Sequence, residues 1–319
     1  MKFSVIVPLY NKEAFVERTL RSVLAQTFAD YELIVVDDGS SDGSYQKACG
    51  VLDKDNPRHR VVKQENGGVG AARNKGVALA EGEYVAFLDA DDWWEPTFLE
   101  VVDRMTGRYP EAATFATGFY LIKNGKKRKA PIGVEEGFEE GCINYFRVYV
   151  KTMCMPVSSS SVAIRKEAFE EVGRFRTHLT FGEDCDLWIR LALKYPVALH
   201  NTPLANYFQD LSPKQRATRR VHDPKTHMLW NFGYLAEAEQ ENADLKRLLD
   251  RLRAGGAYRH YISRQYHSDA LDILKQVDWS GISPSLKKVY ERPLLLERIR
   301  CRYRLEGAKI KQMVYRLTH

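Results

Sequence analysis

No stretch of the chain approaches the ~18 to 20 consecutive apolar residues that a membrane-spanning helix needs, so no span is expected. Met1 leads through Lys2 into "KFSVIVP", too short for the apolar region of a signal peptide and without a small-residue cleavage site. The expectation is a protein that stays in the cytoplasm. Cysteine is sparse: Cys49, Cys142, Cys154, Cys185 and Cys301 are odd in number, scattered, and form no C-x-x-C pair, so they read as reduced, mostly structural thiols. Phosphate fingerprints are missing too. After the first strand a dinucleotide-binding protein needs G-x-G-x-x-G, but "VPLYNKEA" stands there, and no G-x-x-x-x-G-K-[ST] loop exists. The glycines of "ENGGVGAARNKGVALA" fall between the third and fourth strand candidates, the wrong place for that fingerprint. These absences argue against a dinucleotide-dependent hydride transfer enzyme and a P-loop ATPase.

What is present is ordinary globular material, 44% hydrophobic and 28% charged over 319 residues. That length can bury one large core or two modest ones. The formal charge of +6 is unevenly placed: residues 288–319 hold nine Lys or Arg against three Asp or Glu, leaving 39 of each sign elsewhere. Such a tail suits an anionic membrane or nucleic acid, or is a solvated helix.

Apolar runs at Phe3–Val7, Tyr31–Val36, Arg60–Val62 and Tyr84–Leu88 read as strands. Between them, Glu13–Gln26 (Phe15, Leu20, Val23 and Leu24 on one face), Ser44–Leu52 and Ala71–Ala80 read as helices. Alternation of this kind predicts an α/β fold with a mostly parallel central sheet flanked by helices, whose ligands bind beyond the carboxyl ends of the strands. "PLYN", "DDGSSDGS" and "DADD" lie at those ends. From about residue 111 the pattern changes. "ATFATGFYLIKNGKKRKAPI" predicts a hairpin with a type I′ turn at Asn124-Gly125, its Lys/Arg cluster a solvated tip. "SSSVAIRK" predicts a strand followed by a short helix from Lys166, and "GEDCDLWIRLALKY" a helix with Leu187, Trp188, Leu191 and Tyr195 inward. Past residue 223 an all-helical extension is expected, broken at Gly255-Gly256 and Pro284.

One segment poses a question. The run Tyr84–Leu88 ends in Asp89, Asp91 and Asp92, three carboxylates in four residues with no Lys or Arg nearby in the segment. Either this is a solvated acidic loop capping the next helix, or a divalent cation sits there.

Five blocks, in order, are "SVIVPLYNKE" (4–13), "VVDDGSSDGS" (35–44), "NGGVGAARNKG" (66–76), "AFLDADD" (86–92) and "FGEDCDLWIRL" (181–191). Together they make the chain resemble the family 2 glycosyltransferases, whose catalytic domain has the glycosyltransferase A fold. The likeness covers roughly residues 1–212. It implies a nucleotide-sugar-binding half over 1–110, an acceptor-binding half over 111–222, and leaves 223–319 as a helical, basic extension.

The resemblance also implies roles. Asp91 is the metal ligand, Asp89 reaches the ribose or the metal, and Asp92 supports them, the cation being Mn²⁺ or Mg²⁺. A hard cation reconciles clustered carboxylates with a sugar-nucleotide diphosphate. Asp38 accepts the uracil N–H of a UDP-sugar donor while Asp37 is structural. Arg73 bonds the base or diphosphate, or else forms an ion pair, and backbone around Pro8 and Tyr10 lines the base pocket. Tyr10 is equally a packing aromatic. Asp184 is the catalytic base and Glu183 orients the acceptor, although acids in a helix's first turn are favoured by its dipole anyway. Trp93 and Trp94 are candidates for a substrate wall, with core packing as the alternative. His222, in "RRVHDP", is a candidate late ligand or a plain loop histidine. The chain has no Arg-Trp pair, hence no Q-x-x-R-W motif of processive members, so one sugar is expected per encounter.

The tail "LLLERIRCRYRLEGAKIKQMVYRL" (294–317) mixes cations and apolar residues at helical spacing. That suits contact with the inner face of a membrane and a lipid-linked acceptor, or packing on the chain or a second copy. A sugar-nucleotide-forming nucleotidyltransferase lacks its Gly-rich, Arg/Lys-bearing first loop here. A non-catalytic nucleic-acid-binding protein lacks a recognised motif, and the acidic cluster would repel a phosphate backbone, so nucleic acid is not an expected partner.

Overall fold

The structure, a computed structural model, describes residues 1–53, 55–210, 221–298 and 301. The chain divides into two units, Met1–His222 with Thr226–Met228, and Asp223–Lys225 with the chain from Leu229 on.

In the first unit the strands are β1 (Phe3–Leu9), β2 (Tyr31–Asp37), β3 (His59–Lys63), β4 (Tyr84–Phe87), β5 (Trp93–Trp94), β6 (Thr114–Lys123), β7 (Lys126–Lys129), β8 (Glu140–Ile143), β9 (Val162–Arg165) and β10 (Val197–Phe208). Its helices are α1 (Val16–Leu24), α2 (Ser44–Val51), α3 (Val69–Leu79), α4 (Phe98–Arg108), α5 (Tyr145–Thr152), α6 (Lys166–Glu171) and α7 (Glu183–Lys194). One sheet holds all ten strands in the order β3-β2-β1-β4-β9-β6-β10-β5, with β7 on β6 and β8 on β10. Every residue of β1 is buried, which explains its continuous apolar run: a strand covered on both faces has no polar side to show.

The α/β architecture is the expected one, with a difference in strand direction. β3, β2, β1 and β4 are mutually parallel, but β9 enters antiparallel to both β4 and β6, and β5, β7 and β8 also pair antiparallel. The sheet is therefore mixed. A four-residue apolar strand carries no local mark of its direction. β10 escaped the sequence reading because Pro203 argues against a strand; register shifts on either side of Pro203 absorb it. The basic hairpin forms as expected, Asn124 (φ 50°) and Gly125 (φ 67°) both taking the positive φ of a type I′ turn.

Two helical faces shift from expectation. α1 begins at Val16, because Lys12 to Phe15 form a turn, and it buries Val16, Thr19, Leu20 and Val23 while Leu24 is exposed. Tyr195 follows the end of α7 half-buried, its hydroxyl bonded to Glu171 rather than packed inward.

The second unit is helical throughout its described residues: α8 (Ala236–Glu241), α9 (Ala243–Gly256), α10 (Tyr258–Ile262), α11 (His267–Leu274), α12 (Pro284–Glu291) and short 3₁₀ turns. Gly255 and Gly256 end α9 rather than interrupt it, and Pro284 opens α12, where its missing N–H costs nothing. A small apolar cluster of its own includes Ala257, Tyr261, Ile273 and Val277. Most of the basic 288–319 segment lies outside the described residues. No helix among the described residues is long and apolar enough to cross a membrane.

Candidate active site

β1, β2 and β4 end on one edge of the sheet, and their loops interlock there. Asn11 N donates to Ser40 Oγ at 3.0 Å, Lys12 N to Ser44 Oγ at 2.7 Å, and Gly43 N to Glu13 Oε2 at 3.0 Å. Asp38, 3% exposed, accepts from Gly67 N (2.9 Å), Gly68 N (2.9 Å) and Gln64 Nε2 (2.7 Å). Gly68, at φ +88°, turns its N–H toward this carboxylate just before α3 begins. Both Asp38 oxygens are thus engaged in building the glycine loop. Its neighbour Asp37 is fully buried, yet Oδ1 has no hydrogen-bond partner among the described residues. Buried acceptors are nearly always satisfied, so Asp37, read from the sequence as structural, becomes a further candidate. Pro8 is buried in β1 and Tyr10 is 48% exposed, so Tyr10 is not a core aromatic.

The three acids of the β4 loop each find a partner, none of it local. Lys12 Nζ reaches Asp91 Oδ2 at 2.6 Å across 79 residues. Arg73 Nη2 donates to Asp89 Oδ1 at 2.7 Å. Asp92, fully buried, accepts from Ser160 Oγ at 2.5 Å and Phe208 N at 2.7 Å. Arg18 caps the loop, donating to the Asp91 carbonyl at 2.7 Å while its guanidinium lies 3.8 Å from the Trp93 ring centroid. Burial pushes the Asp91 carboxyl up, with Lys12 opposing and Asp89 reinforcing. Asp92 goes well above the usual range, driven by burial and then by the charges of Asp91 and Asp89.

Among the described residues no three or more His, Cys, Asp or Glu gather as a closed metal cage. Asp89 and Asp91 nonetheless offer two hard oxygen donors on one loop. That fits Mg²⁺ or Mn²⁺ completed by phosphate oxygens and water, the usual arrangement for such ions.

The second acidic run begins α7. Gly182, at φ +81° and backed by Met228, leaves no room for a side chain there. Glu183 Oε1 accepts from Arg73 Nη1 at 3.1 Å, and Asp184 Oδ1 accepts from Cys185 N at 2.7 Å. Burial, then the Asp184 charge, pushes Glu183 up to about 7 against the pull of Arg73. Burial likewise raises Asp184, with Arg73 opposing. Asp186 turns away into Arg190 (3.0 and 2.8 Å) and Arg176 (3.2 Å). Arg73 is therefore a buried bridge: 2% exposed, it joins Asp89 to Glu183, with Phe175 under its guanidinium and charges on both sides holding it protonated against burial.

Trp94 is core, 3% exposed, stacked on Phe98 with centroids 4.0 Å apart and bonded to the Ser160 carbonyl at 2.7 Å. That removes it from any substrate wall, because the β5–β10 pairing turns it inward. Trp93 stays half-buried beside Arg18. His222 Nδ1 lies 3.3 Å from Thr180 Oγ1, and its ring is 4.8 Å from that of Phe181, directly before the second acidic run.

Sequence reasoning missed Lys12, Arg18, Ser160 and Tyr207. Burial, then the charges of Asp92, Asp89, Asp91 and Asp184, raises the Tyr207 phenol. No local pattern points to a tyrosine on a strand broken by proline.

The family model described as Glycosyl transferase family 2 matches residues 4–173. The amylovoran biosynthesis glycosyltransferase AmsB of Erwinia amylovora is 30% identical over 223 residues, covering 65% of this chain and 69% of AmsB. Glycosyltransferase GlyA of Streptococcus pneumoniae is 39% identical over 123 residues, 39% of this chain and 17% of GlyA. With three further relatives the match spans only 30 to 38% of the relative's own length. Among solved structures, S. aureus TarS 1–349 in complex with UDP-GlcNAc superposes with a TM-score of 0.70 at 20% identity, covering 88% of this chain and 83% of that one. GalNAc-T7 with UDP, GalNAc and Mn²⁺ reaches 0.53 at 17% identity, over 66% of this chain and 44% of that one. These two likenesses speak for the fold. With the five blocks converging on one sheet edge and the family model spanning more than half its length, the chain belongs to glycosyl transferase family 2.

Proposed function

We propose that the chain is an inverting, metal-dependent glycosyltransferase that moves one sugar from a UDP-sugar to a saccharide or lipid-linked acceptor in cell-surface polysaccharide synthesis. The observation that carries this reading is the Arg73 bridge, 2.7 Å to Asp89 and 3.1 Å to Glu183, which joins donor-side and acceptor-side carboxylates in one site. Support for the donor class comes from the UDP-GlcNAc bound by TarS, and for the pathway class from the amylovoran role of AmsB.

Asp184 takes the proton of the acceptor hydroxyl as that oxygen attacks the anomeric carbon and the diphosphate leaves from the opposite face. Burial raises its proton affinity, which suits a base for a weakly acidic hydroxyl. Glu183 orients the acceptor, and Arg73 keeps Glu183 and Asp89 in register. Asp38 and the backbone at Pro8 and Tyr10 receive the uracil. Asp91 and Asp89 would hold Mn²⁺ or Mg²⁺, a Lewis acid for the charge on the departing nucleoside diphosphate. The basic 288–319 segment adds contact with the anionic inner leaflet; equal flotation with liposomes by forms with and without it removes that part. The main test is a screen of UDP-sugars with Mn²⁺, reading UDP release. Turnover of one or a few donors, stopped by chelator, is expected; no binding or turnover of any UDP-sugar overturns the proposal.

A further inference from the structure

Lys12 belongs to none of the assigned roles, yet it is the one cation among the described residues paired with the Asp91 carboxylate, at 2.6 Å. The pair is not needed to hold either backbone. Lys12 N is tied to Ser44 Oγ at 2.7 Å, and its carbonyl accepts from Phe15 N at 2.9 Å and Val16 N at 3.0 Å as the turn before α1 closes. Asn11 takes the left-handed φ of 50° that Asn tolerates, its N–H on Ser40 Oγ at 3.0 Å and its Oδ1 accepting from Ser41 N at 2.8 Å. The Asp91 backbone is held separately by Arg18, at 2.7 Å. The two ends are thus anchored independently, and only the charges meet.

The placement has a direction. The Lys12 backbone sits on the 38–44 loop expected to receive the base, and its ammonium reaches the acidic loop expected to receive the cation. Its four-carbon stem therefore lies along the line a nucleoside diphosphate must take between base and sugar. The Lys12 side chain is 20% exposed and that of Asp91 11%, so the pair is not sealed from solvent. A lysine is suited to this: a hydrated point charge on a flexible stem, able to leave one oxygen for another without a fixed fork to re-dock. We infer that Lys12 is a diphosphate-binding residue of the donor site, a resident counter-ion that holds Asp91 until the donor arrives and then passes to the phosphate oxygens. In this position it is also a competitor of the divalent cation, since both seek the same Asp91 carboxylate.

The inference rests on the proposed donor class, and its test keeps the two separable. Lys12→Met and Lys12→Arg are compared with the wild-type chain by calorimetry, titrating UDP in chelator, and by electron paramagnetic resonance, titrating Mn²⁺ without nucleotide. Lys12→Met is expected to bind UDP in chelator about tenfold more weakly and Mn²⁺ alone about tenfold more tightly, as one unscreened charge contact is worth roughly this in a partly dry site. Lys12→Arg is expected to restore the UDP affinity. Unchanged UDP affinity of Lys12→Met in chelator overturns the diphosphate role, and unchanged Mn²⁺ affinity overturns the competitor role. A wild-type chain that binds UDP under no condition defeats the donor reading itself, whatever Lys12 does. Circular dichroism melts identify a variant that fails to fold, in which case Lys12→Gln takes its place.

Discussion

Two stretches of the molecule put three carboxylates into four residues, and both sort them the same way. In 89–92, Asp92 is spent on Ser160 and Phe208 while Asp89 and Asp91 meet Arg73 and Lys12. In 183–186, Asp186 is spent on Arg176 and Arg190 while Glu183 meets Arg73 and Asp184 accepts from the Cys185 N–H. The difference lies in the partner of the buried acid. Asp186 has two guanidinium groups. Among the described residues Asp92 accepts hydrogen bonds from neutral donors alone, and Arg18 acts on it only through space. With like charges at Asp91 and Asp89 close by, it is driven toward its protonated form. A run of acids announces a site, but what faces each acid decides which one can do chemistry and which one only holds the loop.

The largest effects should separate working acids from structural ones. Asp91→Asn should abolish metal-dependent turnover, and Asp184→Asn should cut transfer by ~10² or more while UDP and Mn²⁺ binding persist in calorimetry. A fully active Asp91→Asn chain, or an Asp184→Asn chain that loses donor binding instead of rate, breaks the division of labour.

Next is the bridge between the two runs. Arg73→Met leaves Asp89 and Glu183 without their shared cation in a buried place, at a cost of about 3–5 kcal/mol in urea unfolding. Arg73→Lys, a single point charge, should recover part of the stability but not both contacts, and so little of the activity. An Arg73→Met chain as stable as wild type would mean that the two runs fold independently.

The two buried acids should then differ under one substitution. Asp186→Asn strips the charge facing Arg176 and Arg190 and should cost about 3 kcal/mol. Asp92→Asn keeps the Phe208 N–H on its amide oxygen and, with Ser160 Oγ turned to accept from its NH2, should stay within about 1 kcal/mol of wild type. The sign follows from the raised pKa of Asp92: its favourable neutral form is full below the ordinary carboxylate range and is lost as pH rises through the raised value. Asp92→Asn should therefore compare best at alkaline pH. Equal losses at both positions would erase the contrast.

The smallest effect concerns Glu183, pushed up to about 7. Between about pH 4.5 and 7 the folded chain holds a proton that the unfolded chain has released, so stability falls as pH rises through that window and levels off above it. Glu183→Gln should flatten the slope in melts across that range. An unchanged slope would place the titration elsewhere.

Much of the first 110 residues was legible because its signals are local. Apolar runs of four to seven residues closing in "DDGS" or "DADD" mark both a strand and the loop beyond it, and the positions found agree to within a few residues. Between residues 111 and 222 the hairpin at Asn124-Gly125, β9, α6 and the helix carrying Glu183 and Asp184 were legible, because each has a local turn or periodicity signal. β10 was hidden by Pro203, and with it Tyr207 and the Phe208 N–H that holds Asp92. The sequence reads Arg73 as a ligand for base or diphosphate or as an ion-pair partner; it does form ion pairs, buried ones, and its place between Asp89 and Glu183 follows from packing that no spacing rule encodes.

By itself the sequence determined the alternation of strands and helices, the sheet edge on which the loops gather, and the family. Hydrophobic period and turn chemistry are written within a few residues of where they act. Only the tertiary structure decided which acid meets which cation, because Lys12 and Asp91 are 79 residues apart, Arg73 and Glu183 110, and Asp92 and Phe208 116. Ion pairs depend on distance through space, and a folded chain sets that distance only after its sheet has formed.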